Sequence, residues 1–244
     1  MKKLFLITVG PVLLIALAFG SPKKETTPAG KVVDSGSFGI FLQGRRIGTE
    51  TFNIEQKPDL SIAKAEVKID DGTSKAAQNC ELKILPNGNL QHYDWKETAP
   101  EKSQSTVEYK DQFLVQLLSF GAEKPQERAY MLPPSTMILD DNFFSHREIL
   151  LWRYVASGCG GTTQPTGCKL EKGQFGVFVP HQQSSAMVTM EYKGKEKIPV
   201  RGAELELDHF VMDTDGVEWA LWMDGSFKVQ LIQVPSEKVE VVRD

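Results

Sequence analysis

Apolar and polar residues alternate along most of the chain, as they do in strands that bury one face and expose the other to water. Asx-Gly pairs, which favour tight hairpins because both residues tolerate positive φ, separate these segments at Asp71-Gly72, Asn87-Gly88, Asp215-Gly216 and Asp224-Gly225. The predicted strands cover residues 37–42, 47–56, 63–70, 75–85, 90–98, 105–109, 112–120, 175–180, 186–192, 198–212, 217–223, 227–234 and 238–242. This spacing predicts a long antiparallel meander.

One segment, residues 140–155, has the period of a helix instead. Its side chains at the i, i+3 and i+4 positions predict a buried face made of Phe143, Phe144, Arg147, Leu150, Leu151 and Tyr154. Asp140 or Asp141 would cap the first amides. Because the segment carries too many large apolar residues to face water, we expect a helix of about three to four turns packed on the concave side of the sheet.

These elements predict a mainly β fold class, in which a strongly curved antiparallel sheet, a half-barrel or open barrel, wraps one α-helix. The strands before and after the helix would be halves of the same sheet. The chain has 244 residues, and all-β domains of roughly 200–250 residues are common. We therefore expect residues 34–244 to form a single β-rich domain.

The N-terminus has the pattern of a signal peptide over residues 1–20. Two lysines precede an uncharged apolar run of 16 residues, which is shorter than the ~20 that a membrane-spanning helix needs. Small residues favour cleavage after Gly20, and an uncleaved anchor is the alternative. Residues 21–33, rich in Pro, Lys and Thr, would form a flexible leader. We expect an exported protein, periplasmic or secreted, with no transmembrane span in the mature chain.

Export permits disulfides, and two of the three cysteines have suitable positions. Cys159 and Cys168 flank a segment of Gly, Pro and Thr that suits a loop, so we predict a structural disulfide worth about 2–3 kcal/mol. A redox or metal-binding pair is the alternative, although the spacing is not that of a CxxC pair. Cys80 lies in a strand-like segment, where a buried, unreactive thiol is expected.

The charge balance and the motifs exclude several classes of function. With 28 Lys and Arg against 32 Asp and Glu, the net charge is −4, so we predict no nucleic-acid partner. Asp140, Asp141 and His146 come nearest to a metal cluster, but the five-residue step from Asp141 to His146 does not align side chains on a helix. We assign no catalytic residue, no metal site and no cofactor.

Bulky side chains form the most informative group, because such residues can line a site for apolar ligands. The candidate ligand-binding residues are Phe143, Phe144, Leu150, Trp152, Tyr154, Trp219 and Trp222. The alternative is that they fill an ordinary core.

Three stretches carry a resemblance to known proteins. Residues 36–52 (GSFGIFLQGRRIGTETF), residues 139–144 (LDDNFF) and residues 241–244 (VVRD) resemble a group of uncharacterised exported bacterial β-proteins. Their architecture is similar to that of periplasmic lipoprotein-localisation carriers, in which a curved sheet covers a helix and leaves an apolar cavity. The resemblance implies a hydrophobic ligand or an envelope partner, and it assigns no functional residue.

Our leading hypothesis is a non-enzymatic envelope protein that binds a lipid or acyl chain between the concave sheet and the helix. One alternative is a structural or interaction module that binds an envelope protein through a sheet edge or the loop between Cys159 and Cys168. Another is a hydrolase with dispersed catalytic residues that uses His146 or His181 with nearby acids.

Overall fold

The predicted meander forms one sheet of fifteen strands in the computed structural model, which describes residues 30–159 and 168–244. The strands are β1 (Lys31–Leu42), β2 (Arg45–Gln56), β3 (Ser61–Asp70), β4 (Lys75–Ile84), β5 (Leu90–Ala99), β6 (Ser103–Lys110), β7 (Phe113–Phe120), β8 (Gln126–Tyr130), β9 (Met137–Ile138), β10 (Gly173–Val179), β11 (Ser184–Val200), β12 (Ala203–Thr214), β13 (Val217–Met223), β14 (Val229–Val234) and β15 (Val239–Arg243). The short β9 pairs parallel with β10, and the other pairs are antiparallel.

The strand order shows how the sheet curves. β1 pairs with both β2 and β15, which joins the stretches before and after the helix, as predicted. β8 and β9 lie at opposite edges of the sheet although only residues 131–136 connect them. Across the gap, the rings of Tyr130 and Phe178 are 4.7 Å apart, and Gln116 donates a hydrogen bond to the carbonyl of Pro180. The fold is therefore a strongly curved open sheet, which confirms the predicted class.

The helix α1 (Phe144–Gly158) packs against this sheet. All six residues of its predicted face are buried, including the charged Arg147. The helix begins at Phe144 rather than at Asp140, and its first turn contains no acidic residue. Asp140 and Asp141 therefore do not cap it, because they lie before the N-cap position, which is Phe143.

The turns agree with the prediction only in part. Asp215-Gly216 forms a two-residue hairpin with φ of 54° and 82°, and Gln43-Gly44 and Arg201-Gly202 form the same kind of turn without an Asx residue. The other Asx-Gly pairs lie in longer loops. In one of these loops the Asp71 carboxylate accepts backbone hydrogen bonds from Thr73 and Ser74, which widens the turn.

The turn at Arg201-Gly202 divides the predicted strand 198–212, which was wrong as a single element. β11 and β12 are the two arms of a long hairpin, with a register shift beside Gly194. Beyond that shift, apolar side chains of the hairpin join a second, smaller cluster that contains Val200, Leu207, Ala220, Trp222, Leu231 and Val242. Because side chains alternate along β13, this cluster lies on the face of the sheet opposite α1.

Strand β1 begins at Lys31, so regular structure starts before residue 34, the predicted start of the β-rich domain. The predicted signal peptide and most of the predicted leader, residues 1–29, lie outside the described residues, as does the segment 160–167.

Candidate functional site

The N-terminal end of α1 is capped by a side chain from the sheet. Glu50 of β2 accepts hydrogen bonds from the backbone N–H groups of Phe144 (2.7 Å) and Ser145 (3.2 Å), and the Ser145 hydroxyl donates to it at 2.5 Å. Burial raises the pKa of Glu50 to about 7, even though these hydrogen bonds favour the carboxylate. Sequence reasoning missed this residue, but Glu50 shares the alternating inward face of β2 with Phe52 and Ile54. A charged residue in phase with apolar ones is the signal for such a position.

Next to this cap, a chain of hydrogen-bonding groups runs through the buried His146. The backbone N–H of Asp140 donates to His146 Nδ1 at 3.2 Å, so the ring proton is on Nε2, which lies 3.6 Å from the Cys80 Sγ. Tyr93 donates to the Asp140 carboxylate at 2.6 Å. Burial lowers the pKa of His146 to about 3 and raises that of the Cys80 thiol.

This arrangement is opposite to what a cysteine nucleophile needs. An activated thiol requires a low pKa, solvent access and a base that takes its proton, whereas His146 presents its own proton to a thiol that burial keeps neutral. His181, the other candidate of the hydrolase hypothesis, is exposed and makes an edge-to-face contact with the Trp95 ring. Within residues 30–159 and 168–244, no group of three His, Cys, Asp or Glu side chains is placed to hold a metal ion.

A third buried polar cluster links the helix to the first and last strands. Arg243 of β15 donates to Asp34 of β1 at 2.6 Å and to Glu148 of α1 at 2.9 Å, and Lys228 also contacts Asp34. Burial alone would raise the pKa of Asp34, but hydrogen bonds from Glu148, Arg243 and Lys228 lower it to about 2. Burial and the neighbouring Asp34 raise the pKa of Glu148. The cluster holds one helix and two strands at a fixed separation.

The C-terminal end of α1 differs, because the sheet there leaves space. A cavity of about 660 Å³ lies between the helix and the strand ends and turns near it. The helix contributes Ile149, Trp152 and Val155 to its walls, and the sheet contributes Ile54, Ala63 and Ile84. Ligand pockets in proteins are commonly of this size, with mostly apolar walls and a few polar groups.

Two hydrogen bonds fix the helical side of the cavity. The Trp152 indole Nε1 donates to the carbonyl of Phe227 at 2.6 Å, and Arg153 Nη1 donates to the carbonyl of Gly88 at 2.8 Å. Both side chains are half-buried. The indole ring is therefore a positioned wall, while the guanidinium group lies beside the turn between β4 and β5.

The seven predicted ligand-binding residues do not lie together. Trp152 lines the cavity, whereas Phe143, Phe144, Leu150 and Tyr154 are buried in the main core. Trp219 also packs there, with the Arg147 guanidinium carbon 4.2 Å from the centre of its ring. Trp222 is on the opposite face of the sheet, where its indole donates to Glu196 and stacks on His209. The prediction missed other lining residues, among them Ile149 and Val155 of the helix and Ile54, Ala63 and Ile84 of the sheet, because an apolar residue that lines a cavity has the same sequence pattern as one that fills a core.

Just beyond the end of the helix, Cys159 and Cys168 are paired in a disulfide, with a Cα–Cα distance of 5.2 Å. Cys80 is free and buried. The pairing agrees with the prediction for these cysteines and suits an oxidising compartment.

The interaction-module hypothesis stays a prediction. β8 forms one edge of the sheet, and four of its five residues are exposed.

Among the described residues, no helix combines the length and the apolar character needed to cross a membrane.

Comparisons with known proteins assign the chain neither a family nor a function. No family model matches the chain, and no curated protein matches it. A solved structure from Brucella abortus, described as a beta-barrel-like protein of domain of unknown function DUF1849, is similar to it with 8% sequence identity and a TM-score of 0.49. The match covers 86% of this chain and 94% of that one. The family resemblance noted above stays a prediction.

Proposed function

We propose that the protein binds an apolar ligand, such as a lipid or acyl chain, in the cavity beside the C-terminal half of α1. The observation that carries this proposal is a cavity of about 660 Å³ with apolar walls, next to a helix that is otherwise packed against the sheet. Burial of apolar surface would drive binding, at roughly 25 cal/mol for each Å² removed from water.

The surroundings of the cavity support a binding role rather than a catalytic one. The hydrogen-bonded groups around His146 lie at the other end of the helix and are buried, so a ligand in the cavity would not reach them. The walls offer apolar side chains and an oriented indole ring. Of the predicted ligand-binding residues, Trp152 stays in the proposal as a direct contact, and the core residues support the helix that carries it.

The compartment that we propose fits such a ligand. The disulfide and the predicted signal peptide support export, and the cell envelope is where a lipid-binding protein would meet its ligand. We propose that the mature protein acts there without a catalytic step.

The test is lipid extraction of the purified protein with mass spectrometry, combined with titration of the neutral fluorescent probe N-phenyl-1-naphthylamine. Ala156→Trp adds a large side chain at an exposed helical position that lines the cavity. We expect it to weaken probe binding at least about tenfold, since displacing a bound apolar group costs more than about 1.4 kcal/mol.

Ala129→Trp, the same change at an exposed position of β8, is the matched control and should bind the probe as the wild type does. Wild-type protein that binds no probe and carries no lipid would refute the proposal. Equal probe affinity in Ala156→Trp and Ala129→Trp would also refute it.

A further inference from the structure

The charges at the cavity are all of one sign. Lys57 and Arg153 line it, and no acidic residue among the described residues does so. This contrasts with the chain as a whole, in which acids outnumber bases and the net charge is −4. A cavity with apolar walls and cationic side chains complements a molecule that has an apolar part and an anionic part.

Arg153 is held in place without an anionic partner. Its Nη1 donates to the Gly88 carbonyl at 2.8 Å, and within the described chain it forms no salt bridge. A guanidinium group has five N–H donors, so most of them stay available to a ligand. Partial burial lowers the pKa of Arg153, because the protein supplies no compensating charge, and a bound anion would supply one.

Lys57 reaches the same rim from a neighbouring turn. It begins the turn between β2 and β3, where its backbone N–H donates to the Leu60 carbonyl at 2.8 Å. Ser61 pairs with Ile84 in the sheet, so the β2–β3 turn lies next to the β4–β5 turn that contacts Arg153. The two cations therefore flank one side of the cavity. Like Arg153, Lys57 forms no salt bridge in the described residues.

We infer that the ligand is a single-chain anionic amphiphile, whose chain fills the cavity and whose head group, a carboxylate or a phosphate, binds Arg153 and Lys57. This inference rests on the proposed function and names the class of ligand. Arg153 pairs with either head group through two parallel N–H donors, whereas Lys57 adds a point charge.

The test compares three molecules that share one chain and differ in the head group: laurate, dodecyl phosphate and 1-dodecanol. Each displaces N-phenyl-1-naphthylamine from the full mature protein. We expect at least one of the anions to bind about tenfold or more tightly than 1-dodecanol, since hydrogen bonds between charged groups are roughly twice as strong as those between neutral ones. Whichever anion binds more tightly identifies the head group.

The matched variants are Arg153→Gln and Lys57→Gln, with Arg128→Gln on the exposed strand β8 as the control. Arg153→Gln should weaken binding of the preferred anion about tenfold and leave 1-dodecanol unchanged. Lys57→Gln should give a smaller loss, and Arg128→Gln should give none. Added salt should weaken the binding of the two anions and leave the affinity for 1-dodecanol unchanged.

The outcomes separate this inference from the proposed function. If 1-dodecanol binds as tightly as both anions, and Arg153→Gln changes nothing, the inference is overturned while the lipid-binding proposal stands. If neither the alcohol nor the anions displace the probe, and the probe itself does not bind, the proposed function fails and the inference fails with it.

Discussion

The two ends of α1 meet the sheet in different ways. At the N-terminal end, Glu50 caps the first amides, and His146 lies between the Asp140 backbone and Cys80 in a buried polar network. At the C-terminal end, half-buried Trp152 and Arg153 border a cavity. One end is sealed and the other has space for a ligand.

This difference shows that a cluster of buried polar residues need not be the functional site of a protein. The sealed end holds the largest group of perturbed ionisable residues, the usual sign of a functional site. Yet most of its groups hydrogen-bond to one another, although the buried Arg147 Nε has no partner, and burial keeps them away from solvent. The open end has few titratable groups, but it has volume, apolar walls and cations without anionic partners. We therefore expect mutations at the sealed end to change stability and mutations at the open end to change binding.

The largest effect on stability should come from Arg243→Met. This substitution leaves Asp34 and Glu148 buried without the guanidinium that joins them. Breaking a buried ion pair by removing one partner costs about 3–5 kcal/mol, which urea unfolding followed by tryptophan fluorescence would measure. Arg46→Met is the control, because the Arg46–Asp244 pair is partly exposed and should be worth at most about 1 kcal/mol. Equal losses of unfolding free energy in the two variants would contradict the role of Arg243 in stabilising the buried Asp34 and Glu148.

Glu50→Ala should have the next largest effect, a loss of about 3 kcal/mol. The substitution leaves two backbone N–H groups and the Ser145 hydroxyl without their acceptor, and each unsatisfied buried donor costs about 1–3 kcal/mol. Glu66→Ala, at an exposed position of β3, is the control and should change the free energy of unfolding by less than about 0.5 kcal/mol. A Glu50→Ala protein as stable as the control would exclude the capping role.

The pH dependence of stability should distinguish Glu50 from His146. Because the pKa of Glu50 is raised from 4.5 to about 7, its contribution is present in full below pH 4.5 and is lost as the pH rises to 7. The pKa of His146 is lowered from 6.5 to about 3, so its contribution is present above pH 6.5 and is lost as the pH falls to 3. Each contribution to the free energy of unfolding is a few kcal/mol, since one pKa unit corresponds to about 1.4 kcal/mol.

Urea unfolding at several pH values would measure these opposite pH dependences of stability in two variants. The stability deficit of Glu50→Gln relative to wild type should shrink as the pH rises from 4.5 to 7. The deficit of His146→Gln should shrink as the pH falls from 6.5 to 3. Deficits that do not change with pH would mean that neither group has a perturbed pKa.

Removing the disulfide beyond the open end of the helix should cost about 2–3 kcal/mol, because it closes a loop of about ten residues. The double variant Cys159→Ser/Cys168→Ser tests this by thermal unfolding, and wild-type protein with a reductant is the matched comparison. The two should unfold at the same temperature, below that of the oxidised protein. No difference between the oxidised protein and the double variant would show that the bond adds nothing to stability.

The smallest effect on stability should come from Arg153→Gln, at the open end. Arg153 is half-buried and bonds to a backbone carbonyl, so we expect a change within about 0.5–1 kcal/mol. The same variant should lose affinity for the anionic ligand. A large loss of stability with unchanged ligand binding would show that Arg153 has a structural role, and it would contradict the proposed difference between the two ends of the helix.

Much of the architecture could be predicted because its signals are local. Alternation and turn residues indicated the strands, and the i, i+3, i+4 spacing placed Leu150 and Tyr154 on the buried face of a helix. Local rules failed where another part of the chain supplied the interaction. Asp140 and Asp141 have the composition of a cap, but Glu50, more than ninety residues away in sequence, performs that role.

The candidate site depends still more on distant parts of the chain. Trp152, which lines the cavity, could be named as a candidate because it is a bulky residue on the predicted helix. Trp222 could not be separated from it, because the faces of β13 are assigned only when the sheet's curvature and the position of the β11–β12 hairpin are known.

The sequence by itself determined most of the strands, the existence of the helix, the curved sheet around it and the cysteine pair, because each depends on patterns within a few residues or on simple loop closure. The short strands β8 and β9 and the division of residues 198–212 were not predicted. Only the tertiary structure decided which charged residues are buried together, where the sheet and the helix separate to form the cavity, and which cationic residues line that cavity. Those features depend on strand register and curvature, which bring residues from opposite ends of the chain into contact and which no short pattern encodes.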